Sequence, residues 1–133
     1  MKLVLDTNKL YSFFWKGSLI RKLLSAGHEV YSPEFAIVEL DKHKSEILEK
    51  SGLSSKEFEE LKLRLKNNVE FVPFSEYSSH ISEAKSLIPR HLKDIDFVAL
   101  AIKVGAFIVS DDKELKKQSE IRVFNRSEFS ELF

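Results

Sequence analysis

Short runs rich in Val, Leu, Ile and aromatic residues alternate along this chain with longer segments of helical apolar spacing. The short runs predict strands at residues 2–5, 29–31, 70–72, 107–109 and 121–124. The longer segments predict helices at residues 8–24, 32–52, 54–68, 75–88, 94–105, 112–117 and 127–132. Strands that alternate with helices indicate a parallel sheet covered by helices on both faces, so the predicted fold class is α/β.

Gly, Pro and Ser positions refine these boundaries. Gly17 interrupts the first helical segment, which we therefore expect to form two helices. Ser32 is placed to cap the next helix, with Pro33 in its first turn and Gly52 at its end. The segment 94–105 is apolar on nearly every side, which predicts a buried helix.

Composition limits the function classes. The 133 residues, 43% hydrophobic and 32% charged, predict one domain spanning residues 1–133. The absence of cysteine excludes a disulfide framework and thiolate metal sites, and the four histidines show no zinc-ligand spacing. No apolar run approaches the length of a membrane span or a signal peptide, so we expect a cytoplasmic protein. A net charge of zero argues against a protein that coats nucleic acid, but not against an enzyme with an acidic centre.

Acidic residues stand where the strands of such a sheet end. Asp6 follows the first strand, and Asp111 and Asp112 follow the fourth. Asp94 begins the buried helix that leads into the fourth strand, and Glu39 lies in the helix after the second. Ligands of open α/β sheets bind beyond the carboxyl ends of the strands, so these side chains are candidates for a site.

Each acid also has an ordinary structural explanation. Asp6, Asp94 and either Asp111 or Asp112 are all plausible helix caps. Glu39 lies between Val38 and Leu40, where burial without a partner is costly, although Lys42 or His43 on the same helical face can pair with it.

Taken together, the acids favour a metal centre. Several carboxylates at one rim repel one another and raise one another's pKa unless a cation neutralises them. An all-carboxylate set points to Mg²⁺ or Mn²⁺, and such ions support phosphodiester hydrolysis. Residues two apart on a helix do not share a face, so Asp94 and Asp96 cannot both point into the site. We prefer Asp94 as the direct ligand, because it lies at the start of the helix. We prefer Asp112 to Asp111, and we assign Asp96 and Asp111 secondary positions.

The motifs LVLDTN, VEL, DIDFVALA and IVSDD, in this order and spacing, resemble those of PIN-domain ribonucleases between Leu3 and about Phe124. The resemblance implies a three-layer α/β/α sandwich with a parallel sheet of about five strands. Carried over position by position, it makes the metal-binding and catalytic acids Asp6, Glu39, Asp94 and Asp112. It also places Asn8 where a polar residue orients the first Asp, and Ser110 at the strand end two residues before the fourth acid.

The family resemblance implies an activity as well. Water activated by Mg²⁺ or Mn²⁺ would hydrolyse RNA phosphodiester bonds and leave 5′-phosphate and 3′-hydroxyl ends. Many small members are toxins of type II toxin–antitoxin pairs, which implies a protein antitoxin and, frequently, a homodimer. Two alternatives remain within the family: an RNA-processing nuclease without an antitoxin, and a catalytically inactive interaction module.

Two enzyme classes outside the family fit less well. A phosphatase or phosphotransferase with Asp6 as nucleophile usually has a second Asp two residues on, where this chain has Asn8. A dinucleotide-binding domain needs a glycine-rich phosphate loop, which four scattered glycines do not provide.

Other polar and aromatic residues near the acids are candidates for contacts with RNA. The candidates for holding the phosphate backbone are Lys9, Lys42, Arg90, Lys93 and Lys113, with His91 and Lys116 nearby. The aromatic stretch KLYSFFWKG, residues 9–17, cannot face one core with every ring. Its rings pack inside the fold, form a dimer or antitoxin interface, or stack on bases.

Overall fold

The computed structural model describes residues 1–133 and contains a five-stranded parallel sheet in the order β3-β2-β1-β4-β5. The strands are β1 Lys2–Leu5, β2 Glu29–Pro33, β3 Glu70–Val72, β4 Phe107–Val109 and β5 Val123–Phe124. The helices are α1 Thr7–Ser12, α2 Leu19–Leu24, α3 Glu34–Lys42, α4 Lys44–Ser51, α5 Ser55–Asn68, α6 Phe74–Tyr77, α7 Ile81–Leu87 and α8 Ile95–Val104. The predicted α/β class is therefore confirmed.

Alternating side chains of the central strand divide the core into two layers. Leu3 and Leu5 of β1 point to one face of the sheet, where α1 to α5 and the C-terminal turn pack. Val4 points to the opposite face and packs with α6, α7 and α8. Helix α8 is buried along most of its length, from Ile95 to Ala101, as its apolar sequence predicts. The sheet with helices on both faces is the expected three-layer sandwich.

Several element boundaries differ from those predicted. Ser32 does not cap α3, because it extends β2 and its hydroxyl donates to Leu5 O at 3.0 Å across the sheet. Pro33 occupies the N-cap position instead. The segment predicted as one helix to Gly52 divides at His43 into α3 and α4, and Gly52 ends α4 with φ +74°. A left-handed residue at this position favours glycine.

Other predicted helices are shorter or tighter than their patterns indicated. The segment 75–88 divides into α6, a 3-10 turn at Ser78–His80, and α7. The predicted helix 112–117 reduces to a 3-10 turn at Leu115–Lys117, and the C-terminal helix is a 3-10 helix at Arg126–Leu132. The last strand is two residues long rather than four. None of the helices combines the length and apolar character needed to cross a membrane.

Candidate active site

The centre of the site lies at the carboxyl ends of β1 and β4, which pair in parallel with Leu5 opposite Val109. The residue after each strand, Asp6 and Ser110, is buried at this edge. The Ser110 hydroxyl is fully buried, donates a hydrogen bond to Asp6 Oδ2, and accepts one from Asp112 N at 3.1 Å. One serine therefore connects the carboxylate after β1 to the backbone after β4.

Asp6 is held by a second hydrogen bond. It is the N-cap residue of α1, and its Oδ1 accepts from Lys9 N at 2.9 Å. Burial raises the pKa of Asp6 above its ordinary value, while the hydrogen bonds from Ser110 and Lys9 act in the opposite direction. The Asp6 side chain therefore caps α1 and also belongs to the candidate site.

Asp94 lies at the start of α8 but does not cap it. It belongs to a 3-10 turn, Leu92–Asp94, and its side chain makes no capping hydrogen bond. The residue is 6% exposed, and its Oδ2 is buried without a hydrogen-bond partner. A buried polar atom without a protein partner is unfavourable, and a bound cation would satisfy this oxygen.

Asp94 and Asp112 form a coupled carboxyl pair. Burial, followed by the neighbouring Asp112, raises the pKa of Asp94 to about 7. The pKa of Asp112 is lowered, first because the neighbouring Asp94 carboxyl, when protonated, can donate to it, and further because Glu114 N donates to its Oδ1 at 3.0 Å. Without a cation, the pair holds one proton near neutral pH.

These residues open into a cleft of about 580 Å³, which we call the acidic cleft. Its five carboxylates belong to Asp6, Glu39, Asp94, Asp111 and Asp112. Its only apolar lining residues are Phe35 and Phe97, whose rings meet edge to face at 5.7 Å. Carboxylate oxygens are the ligands that hard divalent cations such as Mg²⁺ and Mn²⁺ prefer, and one of these oxygens, Asp94 Oδ2, has no hydrogen-bond partner. The cleft therefore fits such a cation.

Comparison with known proteins agrees with this architecture. A family model described as PIN domain matches residues 4–125, which is most of the chain. The chain belongs to the PIN domain family. Membership confirms the resemblance noted in the sequence and supports a nuclease activity.

The fold of this PIN domain also occurs among solved structures. One is the structure of VapBC2 from Rickettsia felis bound to a DNA fragment from their promoter. The match covers 94% of this chain and 98% of that chain, with 19% identity and a TM-score of 0.65. At this identity the match shows a shared fold. No curated protein matches the chain.

The acidic cleft contains the four acids that the sequence proposed as ligands, and Glu39 is only partly buried there. Its side chain is about one-third exposed, with Lys42 Nζ at 3.2 Å and His43 Nε2 at 3.6 Å. Of its chain neighbours, Leu40 is buried but Val38 is 49% exposed. The pairing of Glu39 with Lys42 or His43, which the sequence offered as its ordinary structural explanation, is therefore present in the structure.

The two secondary acids occupy different environments. Asp96 lies outside the acidic cleft and accepts a hydrogen bond from Tyr77 Oη at 2.6 Å. Asp111 lines the cleft but forms an ion pair with Lys9, and it accepts from Arg126 N at 2.7 Å. Both carboxylates already have protein partners, unlike Asp94 Oδ2.

The predicted orienting residues differ in their contacts. Ser110 makes the hydrogen bond to Asp6 described above. Asn8 lines the acidic cleft and is exposed, but its side chain makes no hydrogen bond to Asp6. The prediction that Asn8 orients Asp6 by hydrogen bonding is therefore wrong in this structure. Lys9 N and Ser110 Oγ supply those bonds.

The candidate phosphate-binding cations are also distributed unevenly. Lys9 is buried and paired with Asp111, and Lys42 is paired with Glu39. Lys93 is exposed and lines the acidic cleft without an ion pair. Arg90 and Lys113 are exposed and line no part of this cleft. Their contacts with RNA remain predictions.

Sequence reasoning did not identify His91 as a possible ligand. Ligand atoms of His91, Asp94 and Asp112 all lie within 4.8 Å of one another, and His91 Nε2 is 3.1 Å from Glu114 Oε2. The spacing of three residues to Asp94 was visible in the sequence. This spacing places His91 near Asp94 because positions three apart lie on the same side of a 3-10 turn, and the 3-10 turn itself was not predicted.

The raised pKa of Asp94 predicts the pH dependence of stability. Between its ordinary value of 3.8 and about 7, the folded state holds a proton that the unfolded state releases. The contribution of Asp94 to the free energy of unfolding therefore falls as pH rises through this range. In EDTA we expect the Tm to be about 5 °C higher near pH 5.5 than near pH 8.

Differential scanning calorimetry of the wild type and Asp94→Asn at both pH values tests this expectation. The amide does not titrate, so the difference between the two Tm values should shrink in the variant. An identical pH dependence in both proteins would contradict the raised pKa.

Proposed function

We propose that this PIN domain is a metal-dependent ribonuclease that hydrolyses phosphodiester bonds of RNA. The observation that carries the proposal is the buried, unpartnered Oδ2 of Asp94 beside a second carboxylate in the acidic cleft. A site that only stabilised the fold would pair this oxygen. Family membership independently supports a nuclease.

In this proposal Asp6, Glu39, Asp94 and Asp112 hold Mg²⁺ or Mn²⁺. When bound, the cation supplies positive charge for a phosphate oxygen and lowers the pKa of a water. The chain's own residues prepare the site for it. Ser110 and Lys9 N fix the orientation of Asp6, and Asp94 releases its shared proton to become a full carboxylate.

The exposed cation at the rim supplies the substrate contact. Lys93 lines the acidic cleft and has no carboxylate within ion-pair distance, so its ammonium is free to bind an RNA phosphate. Positive charge at this position also offsets the repulsion between the acidic cleft and the approaching phosphodiester.

Calorimetric titration of the metal-stripped protein with Mn²⁺ tests the metal centre without a known substrate. We expect saturable binding in the wild type, weakened at least about 10-fold by Asp6→Asn and by Asp94→Asn, because each change removes a ligand charge. Asp96→Asn is the matched control, since Asp96 lies two residues from Asp94 but outside the cleft. Equal heats in all four proteins would argue for the interaction module.

We further propose that the protein is the toxin of a type II toxin–antitoxin pair and forms a homodimer. The shared fold with a chain of the VapBC2 structure supports a protein antitoxin as partner. A neighbouring gene for a small DNA-binding protein, whose product inhibits RNA cleavage when co-expressed, would support this assignment. If the protein cleaves RNA and no neighbouring gene encodes such an inhibitor, an RNA-processing nuclease is favoured instead.

A further inference from the structure

A second cleft, of about 390 Å³, adjoins the acidic cleft and has a different character. We call it the Trp15 cleft, after the indole that lines it together with Lys16 and Arg126. Its floor is apolar, because Ile20 and Phe129 line it and are both buried in the core. An aromatic wall, an apolar floor and two cations are the components of a site for an unpaired nucleotide.

The two clefts adjoin each other. Asn8, Lys9 and Asp111 line both of them. The Lys9–Asp111 ion pair lies at the boundary that the clefts share, with the Lys9 ammonium 4.9 Å from the centre of the Phe129 ring. A chain that leaves the acidic cleft past this ion pair therefore reaches the Trp15 cleft next.

The charges of the Trp15 cleft favour an anion. Lys16 and Arg126 are both exposed, and neither side chain forms an ion pair. The other charged pair in the cleft, Lys9 and Asp111, is mutually neutralised. The acidic cleft by contrast repels phosphate in the absence of a cation, so the Trp15 cleft is the better point of attachment for a polyanion.

The position of the indole follows from a turn that the core holds in place. Phe13 and Phe14 are buried, and the Phe14 ring stacks on Phe58 with centroids 4.8 Å apart. The chain then reverses through Gly17, whose φ of +76° favours glycine, and leaves Trp15 half-buried. A rigidly held, half-exposed ring loses little conformational entropy when a base stacks on it.

We propose that the Trp15 cleft binds single-stranded RNA: a base stacks on Trp15, and Lys16 and Arg126 hold the adjoining phosphates. The strand continues from the acidic cleft, so this inference rests on the proposed ribonuclease function. It specifies the substrate class, because a base that stacks on a side chain must be unpaired.

Trp15 is the only tryptophan of the chain, so its fluorescence reports directly on this cleft. The experiment titrates the protein in EDTA with an oligouridine of roughly 12 nucleotides, a length suited to a two-cleft path. We expect saturable quenching. Lys16→Ala with Arg126→Ala should weaken the apparent affinity about 10-fold or more and reduce the slope of log K against log salt by about 1.4, for two lost phosphate contacts.

The control removes two exposed cations that line neither cleft and form no ion pair, by Lys56→Ala with Lys85→Ala. This variant should bind like the wild type, and duplex RNA should quench weakly. No saturable quenching, or equal weakening in the control, would overturn the proposal. Quenching by an acidic peptide but not by RNA would overturn it in favour of a protein partner.

Failure of the Trp15-cleft proposal can be distinguished from failure of the ribonuclease proposal, because quenching of Trp15 in EDTA requires neither metal nor cleavage. Cleavage of oligouridine with Mn²⁺ but no quenching would refute the Trp15 path alone. Quenching without Mn²⁺ binding or cleavage would refute the nuclease alone, and would leave an RNA-binding PIN domain.

Discussion

Asp94→Asn is expected to lower Mn²⁺-dependent RNA cleavage at least about 100-fold, because a bound metal contributes several kcal/mol of charge stabilisation and each 1.36 kcal/mol is a factor of ten. The same change should not harm the fold. The metal-free wild type keeps Asp94 Oδ2 buried without a partner, and a neutral amide relieves the charge repulsion with Asp112 near pH 8. Gel-based cleavage assays and calorimetry measure the two effects.

Asp94→Asn is informative because it should lower RNA cleavage without lowering the stability of the fold. A residue that serves only the fold would lose stability and activity together. Asp96→Asn is again the control, because the Asn oxygen still accepts the Tyr77 hydroxyl and cleavage should stay near the wild-type rate. Full activity of Asp94→Asn would contradict its place in the metal centre. Loss of activity in Asp96→Asn alone would exchange the assignments of the two acids.

Ser110→Ala should lower cleavage by about 10–100-fold, the range expected when a partner that orients a metal ligand is removed. The change removes the hydrogen bond to Asp6 Oδ2 and the one accepted from Asp112 N. Asp6 would keep only the bond from Lys9 N and would lose its fixed orientation. We expect the apparent Kd for Mn²⁺ to rise, and excess Mn²⁺ to restore part of the activity.

The chain provides a closely matched control for Ser110. Ser32 is also fully buried at the carboxyl end of a strand, but its hydroxyl donates to Leu5 O. Ser32→Ala should therefore cost similar stability and leave Mn²⁺ affinity unchanged. Equal losses of cleavage and metal affinity in both variants would mean that the effect of Ser110→Ala is a general weakening of the fold.

Much of the fold followed from local patterns. The strands Lys2–Leu5, Glu70–Val72 and Phe107–Val109 lie where their short apolar runs predicted. Helix α5 begins with a capping box, in which Ser54 Oγ accepts from Glu57 N and Glu57 Oε1 accepts from Ser54 N. These features depend on neighbours within a few residues, so the sequence contains the information needed to predict them.

Predictions failed where a distant partner outweighed a local preference. Ser32 has the chemistry of a helix cap, but Leu5 O on the adjacent strand accepts its hydroxyl. Asn8 is polar and lies two residues after Asp6 in the chain, but the side chain that reaches Asp6 belongs to Ser110. In both cases the competing contact joins residues far apart in sequence, and only the packed sheet creates it.

The candidate site divides in the same way. The choice of the four acids came from the rule that parallel strands present their carboxyl ends at one rim. The preference for Asp94 over Asp96 came from the geometry of a helix, on which residues two apart do not share a face. No such rule predicts four other features of the site: the unpartnered oxygen of Asp94, the proton that Asp94 shares with Asp112, the approach of His91, and the adjacency of the two clefts. Local patterns set which residues reach the rim, whereas burial and distance, which arise only when the chain packs, set which carboxylate lacks a partner and which cations remain free.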